Sequence, residues 1–232
     1  MFINLEAINL LNTIKYILLL SLVISLTTQS KAATQLDLSY YFDSRDFNTF
    51  ALFVQNKDLG QDFSVWGFSD FHGQQNNKSE RFQPDRSFSE YRLSNSKLAD
   101  WTGIDGLGLQ VEYNHISPKS KNVWRGALTY KLPLGARLKM QLRILPIQNI
   151  DDEQVSIGYF YSINDKLNIS GFADYNVRDD KKNQWVIEPQ LNYKLAKDTW
   201  LIIEYRYNGF EDDNLNLEGS GWAIGLKWNA IK

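Results

Sequence analysis

One stretch of the chain, Gln154–Val177, constrains the fold more than any other. Its first arm alternates between apolar and polar side chains, and after a turn at Asn164–Lys166 the second arm, Leu167–Val177, alternates again. A period of two is typical of a β-strand with one apolar and one polar face, so the stretch predicts a β-hairpin. Phe160 and Phe172 break the pattern, since they lie on the polar side. Arms of about ten residues also suit tilted strands that cross a bilayer.

The same alternation recurs along most of the chain and predicts about twelve strands, an even number as in single-chain bacterial barrels. Short connections alternate with mostly longer, polar ones, which indicates an antiparallel transmembrane β-barrel with short periplasmic turns and both termini in the periplasm. Closure removes the edges that an open sheet of this size would expose. Besides the two arms above, the predicted strands are Gln35–Asp43, Thr49–Gln55, Asp62–Phe71, Ser87–Leu93, Gly106–His115, Val123–Leu132, Arg137–Leu145, Gln184–Tyr193, Thr199–Asn208 and Gly219–Trp228.

The first 32 residues read as an export signal rather than as part of the barrel. Lys15 precedes the apolar run Tyr16–Leu26, and small residues at Ser30 and Ala32 flank Lys31 at a cleavage site. A membrane anchor is the alternative, although the run is short for a spanning helix. We therefore expect a signal peptide at residues 1–32 and one barrel domain at residues 33–232, in the outer membrane of a Gram-negative bacterium. Pro189 falls inside a predicted strand, where it predicts a bulge.

Composition agrees with a barrel in contact with lipid. The mean hydropathy of −0.39 is that of a soluble protein, but alternating strands give such an average even when one face meets lipid. Aromatic residues make up 14 % of the chain, and cysteine is absent. The net charge of −2 gives no reason to expect a nucleic-acid partner. We expect outer-membrane lipid as the surroundings of a monomer, and no cofactor.

If the apolar faces meet lipid, the polar faces line a lumen, and these side chains are the candidates for solute binding. The bases on two neighbouring strands stand apart from most of the acids, which predicts a transverse field across the pore. The alternative is that the charges pair across strands and plug the lumen. The candidates are Tyr41, Trp66, Phe68, Asp70, Phe88, Glu90, Arg92, Glu112, Arg125, Lys139, Arg143, Phe172, Asp174, Glu188, Glu204 and Arg206.

Three of these stretches mix aromatic and acidic side chains: Trp66–Asp70, Phe88–Arg92 and Phe172–Asp174. Aromatic faces stack on flat rings, and carboxylates accept hydrogen bonds from hydroxyl and amine groups. That chemistry suits a nucleoside better than an ion. The alternative is that inward aromatic rings fill space in a narrow barrel.

Several motifs carry a family resemblance. Thr49–Gly73 (TFALFVQNKDLGQDFSVWGFSDFHG) and Phe88–Leu98 (FSEYRLSNSKL) resemble strands of the Tsx family, the nucleoside-specific channel-forming proteins of the outer membrane. Ile169–Asp179 with Glu188–Tyr193 resembles a hairpin of a Tsx-like relative, and Gly219–Trp228 resembles the closing strand. The resemblance implies a twelve-stranded barrel and passive uptake of nucleosides. It also implies a lumen motif at Trp66, Phe68, Asp70, Phe88 and Glu90.

Two other classes compete with a channel for small polar solutes. An enzymatic barrel needs a nucleophile beside a base, and the chain has two histidines, His72 and His115, with Ser69 near the first. No Ser/His/Asp spacing stands out and two distant histidines make no metal site, so we expect exposed loop histidines and no enzyme. A soluble periplasmic ligand-binding barrel would instead turn its apolar faces inward. Aromatic residues toward strand ends, typical of membrane girdles, favour the channel.

Overall fold

A computed structural model describes residues 34–75, 82–118, 121–149, 152–178, 182–210 and 219–231. The predicted signal peptide, residues 1–32, lies outside the described residues. Twelve antiparallel strands and one short helix make up the described chain. They are β1 (Gln35–Asp43), β2 (Phe47–Gly60), β3 (Phe63–Gln74), β4 (Arg86–Asn95), α1 (Lys97–Thr102), β5 (Leu107–Ser117), β6 (Lys121–Leu132), β7 (Leu138–Gln148), β8 (Asp152–Asn164), β9 (Leu167–Arg178), β10 (Gln184–Lys194), β11 (Thr199–Asn208) and β12 (Gly219–Ile231).

The strands close into a barrel in which each pairs with its neighbours in the chain, and β1 completes the ring by pairing with β12. All twelve ladders are antiparallel, from Leu36 opposite Val54 in the first pair to Phe42 opposite Ile224 at the closure. Closure leaves no free strand edge between β1 and β12. The predicted fold class, an antiparallel barrel of twelve strands, is confirmed.

The two ends of the barrel differ, and we name them by their connections. The turn end carries the two-residue turns Gln61–Asp62 and Asp165–Lys166, together with α1, the start of β1 and the end of β12. The loop end carries the opposite connections. The placement of the turn end in the periplasm stays a prediction. In the part of the chain that the structure describes, no helix has the length and apolar character needed to span a membrane.

Contacts between distant strands identify the inside of the barrel. Arg206 on β11 reaches Asp43 on β1, and Arg143 on β7 reaches Glu90 on β4, contacts that only the interior allows. The residues that alternate with these point outward, and many are large, apolar and exposed. Leu109 is 48 % exposed and Leu226 is 52 % exposed. A soluble barrel would turn these apolar side chains inward and bury them. The soluble alternative is therefore wrong about which face points inward.

Aromatic pairs ring the outward face near the loop end. Three tryptophans each lie directly opposite a tyrosine of the adjacent strand: Trp124 with Tyr113, Trp185 with Tyr175 and Trp222 with Tyr205. The ring centres are separated by 4.6, 4.8 and 5.1 Å. Near the turn end, Tyr130, Tyr193 and Trp228 lie on the same outward face. Two aromatic levels on an apolar barrel surface match the girdles of membrane barrels.

Strands run further than the alternation predicts. The segment Asn56–Gly60 has the composition of a turn, but it belongs to β2, with an irregular register between Asn56 and Gly60. His72 belongs to β3 rather than to a loop. The connection Ser96–Asp105 holds α1, which begins after Ser96 and ends at Gly103 in a left-handed backbone conformation (φ 71°). Ladder hydrogen bonds explain the longer strands, since they continue through polar residues that the alternation assigns to loops.

Pro189 introduces no bulge, so that prediction is wrong. The register between β10 and β11 is the same on both sides of it, with Ile187 opposite Tyr207 and Gln190 opposite Glu204. On the other side Pro189 lies opposite Gly171. A Cβ on Gly171 would lie 2.3 Å from the Glu188 carbonyl oxygen and 2.9 Å from the Pro189 Cα. The missing side chain at Gly171 therefore lets the proline approach without displacing a strand.

Candidate functional site: the lumen

The ladder registers place every candidate solute-binding residue on the inward face. On β3 and β4, for example, Trp66, Phe68 and Asp70 lie opposite Arg92, Glu90 and Phe88. The inward set comprises Tyr41, Trp66, Phe68, Asp70, Phe88, Glu90, Arg92, Glu112, Arg125, Lys139, Arg143, Phe172, Asp174, Glu188, Glu204 and Arg206. Whether any of them binds a solute stays a prediction.

One group of charges, which we call the Glu112 cluster, joins β4 to β9 across the interior. The carboxylate of Glu112 is 1 % exposed and accepts from three guanidinium groups. Arg125 Nη1 donates to Oε1 at 2.8 Å, and Arg92 Nε and Arg143 Nη1 donate to Oε2 at 3.1 and 3.5 Å. Arg143 extends the cluster, because its Nη2 lies 3.6 Å from Asp174 Oδ1. Glu112 and Arg143 are buried and the other charges are partly buried, so each charge depends on its partners for stabilisation.

Two further residues, Ser156 and Glu90, complete the Glu112 cluster. Ser156 lies between Arg143 and Asp174, accepting from the guanidinium and donating to the carboxylate. Arg92 also pairs with Glu90, which lies 3.9 Å from Arg143. The cluster holds three arginines and three carboxylates, so its formal charges balance.

A second group, the Arg206 cluster, lies on the other side of the interior toward the loop end. Arg206 Nη1 lies 3.5 Å from Asp43 Oδ2 and donates to Thr49 Oγ1 at 3.4 Å, and its Nε pairs with Glu204. Arg45 follows β1 and binds Asp43 through Nη2 at 2.9 Å. The cluster ties β1, β2 and β11 together from inside the barrel.

These clusters decide between the two interpretations of the lumen charges. Arg125 and Arg143, which the transverse-field interpretation sets against acids on a far wall, bind the carboxylate of Glu112 on β5 directly. Pairing across strands is therefore correct for the arginines. Lys139 differs, since it is exposed and forms no salt bridge among the described residues.

An aromatic strip runs along the inner wall formed by β2, β3 and β4. Phe53 and Trp66 have ring centres 5.8 Å apart, Trp66 and Phe68 5.5 Å, and Phe68 and Phe88 5.7 Å. All four side chains are half-buried, so each retains accessible surface toward the lumen. Arg92 links this strip to the Glu112 cluster, with its guanidinium carbon 4.0 Å from the Trp66 ring centre. A strip of ring faces and edges can stack on a flat solute at several levels.

Other candidates remain outside both clusters. Asp70 lies beside the strip, and Glu188 lies opposite Phe172 on β9. Within the described ranges, neither carboxylate forms a hydrogen bond or a salt bridge, although both lie within electrostatic range of Arg206. Tyr41 is buried beneath Arg206, whose guanidinium carbon is 5.0 Å from its ring centre.

The histidines contradict the expectation of exposed loop residues. His72 is 2 % exposed on the inward face of β3, where Nδ1 bonds Thr49 Oγ1 at 2.9 Å. His115 is half-buried near the end of β5 and bonds Asn122 Oδ1 at 2.8 Å. Ser69 points outward and bonds Ser89 and Tyr91, so it faces away from His72. Ser69 therefore does not serve as a nucleophile beside either histidine ring.

Sequence reasoning did not include some lumen residues that the structure brings into contact. Asp43 continues the alternation of Ser39 and Tyr41 and could have been found by parity. Arg45 and Thr49 could not, because Arg45 follows the strand and Thr49 becomes a partner of Arg206 only through closure. In the described ranges, no group of three or more His, Cys, Asp or Glu side chains is arranged to hold a metal ion.

Comparison with known proteins finds similarity in fold. No protein-family model matches the chain, and no curated protein has a significantly similar sequence. The NanC porin aligns with a TM-score of 0.59 at 14% identity, over 84% of this chain and 99% of its own. The KdgM porin aligns with a TM-score of 0.55 at 13% identity, over 84% and 98%. The KdgM porin in complex with disordered oligogalacturonate gives a TM-score of 0.54 at 13% identity over the same shares.

Proposed function

We propose that the protein is a monomeric passive channel in the outer membrane of a Gram-negative bacterium. It passes small polar solutes, with nucleosides as the preferred class. The observation that carries this proposal is the aromatic strip Phe53–Trp66–Phe68–Phe88, which faces the interior of a closed barrel and keeps accessible surface there. A structural barrel without transport has no need of accessible ring faces inside.

The outer surface supports a place in the membrane. Apolar side chains cover the barrel wall, and tryptophans near the loop end, such as Trp222 at 61 % exposed, form a girdle with tyrosine neighbours. Such a belt fits the two interfaces of a bilayer. In this placement the turn end and both chain termini face the periplasm. The porins of similar fold support the same class of protein.

The strip and the unpaired carboxylates supply complementary contacts for a nucleoside. A base can stack on Trp66 or Phe68, as bases stack on aromatic side chains elsewhere. Asp70, which accepts no hydrogen bond from the described residues, offers its oxygens to ribose hydroxyls or exocyclic amines. Weak contacts repeated along a wall guide a solute without trapping it.

An enzymatic or purely structural barrel is the alternative. Its support is the rigid charge network of the Glu112 cluster, in which three arginines converge on one carboxylate. The same network also serves a channel, because it fixes the inner wall against which a solute moves.

Flux into liposomes tests the proposal. The barrel is reconstituted, and entry of labelled adenosine is compared with entry of a hexose across a range of concentrations. We expect saturable adenosine entry. In Phe68→Ala the half-saturating adenosine concentration should rise by on the order of tenfold, since a stacked base contributes roughly 1–3 kcal/mol. Phe160→Ala is the matched control, because Phe160 is also an inward phenylalanine but lies on β8, away from the strip.

Two results would contradict parts of the proposal. Adenosine and hexose entering at equal, unsaturable rates would leave a general pore without nucleoside preference. A correctly folded barrel that admits neither solute would remove the channel function and favour the structural or enzymatic alternative.

A further inference from the structure

The turn end of the lumen carries lysines on two opposite walls. Lys131 on β6 and Lys139 on β7 form one pair, and Lys194 on β10 and Lys227 on β12 form the other. In a ring of twelve strands β6 and β12 are six strands apart in either direction, so Lys131 and Lys227 face each other, and Lys139 and Lys194 lie between them on one side. The registers place all four on the inward face, with Lys139 opposite Phe160 and both Lys194 and Lys227 opposite Trp200.

These lysines differ from the arginines deeper in the lumen because they lack acidic partners. Lys131 and Lys139 are exposed, and within the described ranges none of the four forms a salt bridge. Among the described strand residues, Asp37 is the one carboxylate on the inward face at the turn end. Its oxygens accept from Gln35 Nε2 and Asn229 Nδ2, both at 2.7 Å, and it lies within electrostatic range of Lys227.

Trp200 adds a ring face to one of the pairs. The ammonium groups of Lys194 and Lys227 lie 5.7 and 5.8 Å from its ring centre, and its Nε1 donates to Asn229 Oδ1 at 2.9 Å. An aromatic ring close to two cations suits a solute that combines a ring with a carboxylate or phosphate group.

We propose that the turn end is an anion-collecting vestibule, which makes the channel favour anionic solutes over neutral solutes of the same size. This inference rests on the proposed channel function. Charge of one sign lining a low-dielectric cleft raises the local concentration of counter-ions and the rate at which they enter. Asp70 and Glu188, which lie deeper in the lumen, act against this preference, but they are fewer than the lysines and share the field of Arg206.

Ion selectivity of the reconstituted channel tests the inference. The reversal potential is measured in a KCl gradient, first near about 0.1 M and then near about 1 M salt, where the Debye length falls from about 10 Å to about 3 Å. We expect chloride to be favoured over potassium at low salt and the preference to fade at high salt. Liposome entry of galacturonate should also exceed that of galactose, which has a similar size and no charge.

The double variant Lys131→Glu/Lys139→Glu should lower the chloride-to-potassium permeability ratio by at least about threefold, because it reverses one wall of the vestibule. Lys166→Glu is the control, with the same charge change per substituted lysine on a turn at the same end. Potassium preference in the wild type, or an equal shift per substituted lysine in the two variants, would overturn the vestibule. Conductance steps in the same recordings would show that the channel function still holds. A folded barrel with no conductance would overturn both.

Discussion

The guanidinium carbon of Arg92 lies 4.0 Å from the centre of the Trp66 ring. The same side chain donates through Nε to Glu112 Oε2 at 3.1 Å, so one arginine joins the charged side of the lumen to the aromatic strip. Trp66 is thereby held by a group that is itself fixed in the Glu112 cluster. The position of the ring that would meet a solute is set by charges that the solute need not touch.

This relationship predicts that Arg92→Gln weakens adenosine binding by about two- to fivefold, since a cation–π contact worth roughly 1 kcal/mol orients Trp66. Arg125→Gln is the matched comparison: it also removes a partner of Glu112, but the described structure shows no aromatic ring beside Arg125. Both affinities are read from the concentration dependence of current block. Equal loss in the two variants would show that the Arg92–Trp66 contact has no part in binding.

Glu112→Gln should destabilise the barrel by about 3 kcal/mol, because one buried and two partly buried guanidinium groups lose their shared carboxylate. Urea unfolding in lipid vesicles measures the change. Glu188→Gln is the same substitution at a carboxylate without a hydrogen bond or salt bridge in the described ranges, and it should stay within about 0.5 kcal/mol of the wild type. Similar losses in both variants would contradict the Glu112 cluster.

Gly171→Ala should destabilise the barrel by about 1–3 kcal/mol, as overpacking commonly does, since the added Cβ would meet the Glu188 carbonyl oxygen at 2.3 Å. Gly158→Ala on the neighbouring strand has nothing within 4 Å of the added Cβ and should be neutral. Unfolding midpoints in urea compare the two variants directly. A harmless Gly171→Ala would mean that the strands around Pro189 are further apart than in this structure.

Single-tryptophan variants test which residues face lipid. Fluorescence of a barrel that retains only Trp124, Trp185 or Trp222 should be quenched by lipids brominated close to the headgroup, because these rings lie in the girdle near the loop end. A barrel that retains only Trp66 should escape lipid quenching and respond to a water-soluble quencher. Lipid quenching of Trp66 would place the aromatic strip on the outside.

The alternation predicts which residues share a face of the barrel, because in a strand the odd and even positions point to opposite sides. Once β3 is recognised, Trp66, Phe68 and Asp70 must share a side, whatever the position of its ends. Strand ends were less accurate, since Asn56–Gly60 has turn composition but continues a ladder. The helix α1 was missed because six residues are too few for a helical period to emerge.

Contacts inside the lumen could not be predicted from single strands. Arg206 and Asp43 lie far apart in the sequence and meet because β12 pairs with β1, and the partner of a charge depends on which strands closure brings together. The separation of bases from acids along the chain therefore suggested a field across the pore, whereas Arg125 and Arg143 fold onto Glu112. The polar residues from His72 onward predict a loop, whereas β3 continues through His72 to Gln74.

Single-channel recording tests the central claim most directly. The barrel from residue 33 onward is refolded into a planar bilayer, and current is followed while adenosine, thymidine and a hexose are added in turn. The account predicts stepwise conductance that the nucleosides block and the hexose leaves unchanged, with weaker block in Phe68→Ala. Insertion of a folded barrel without conductance steps would contradict a channel altogether, and steps that all three solutes leave unchanged would contradict the role of the aromatic strip.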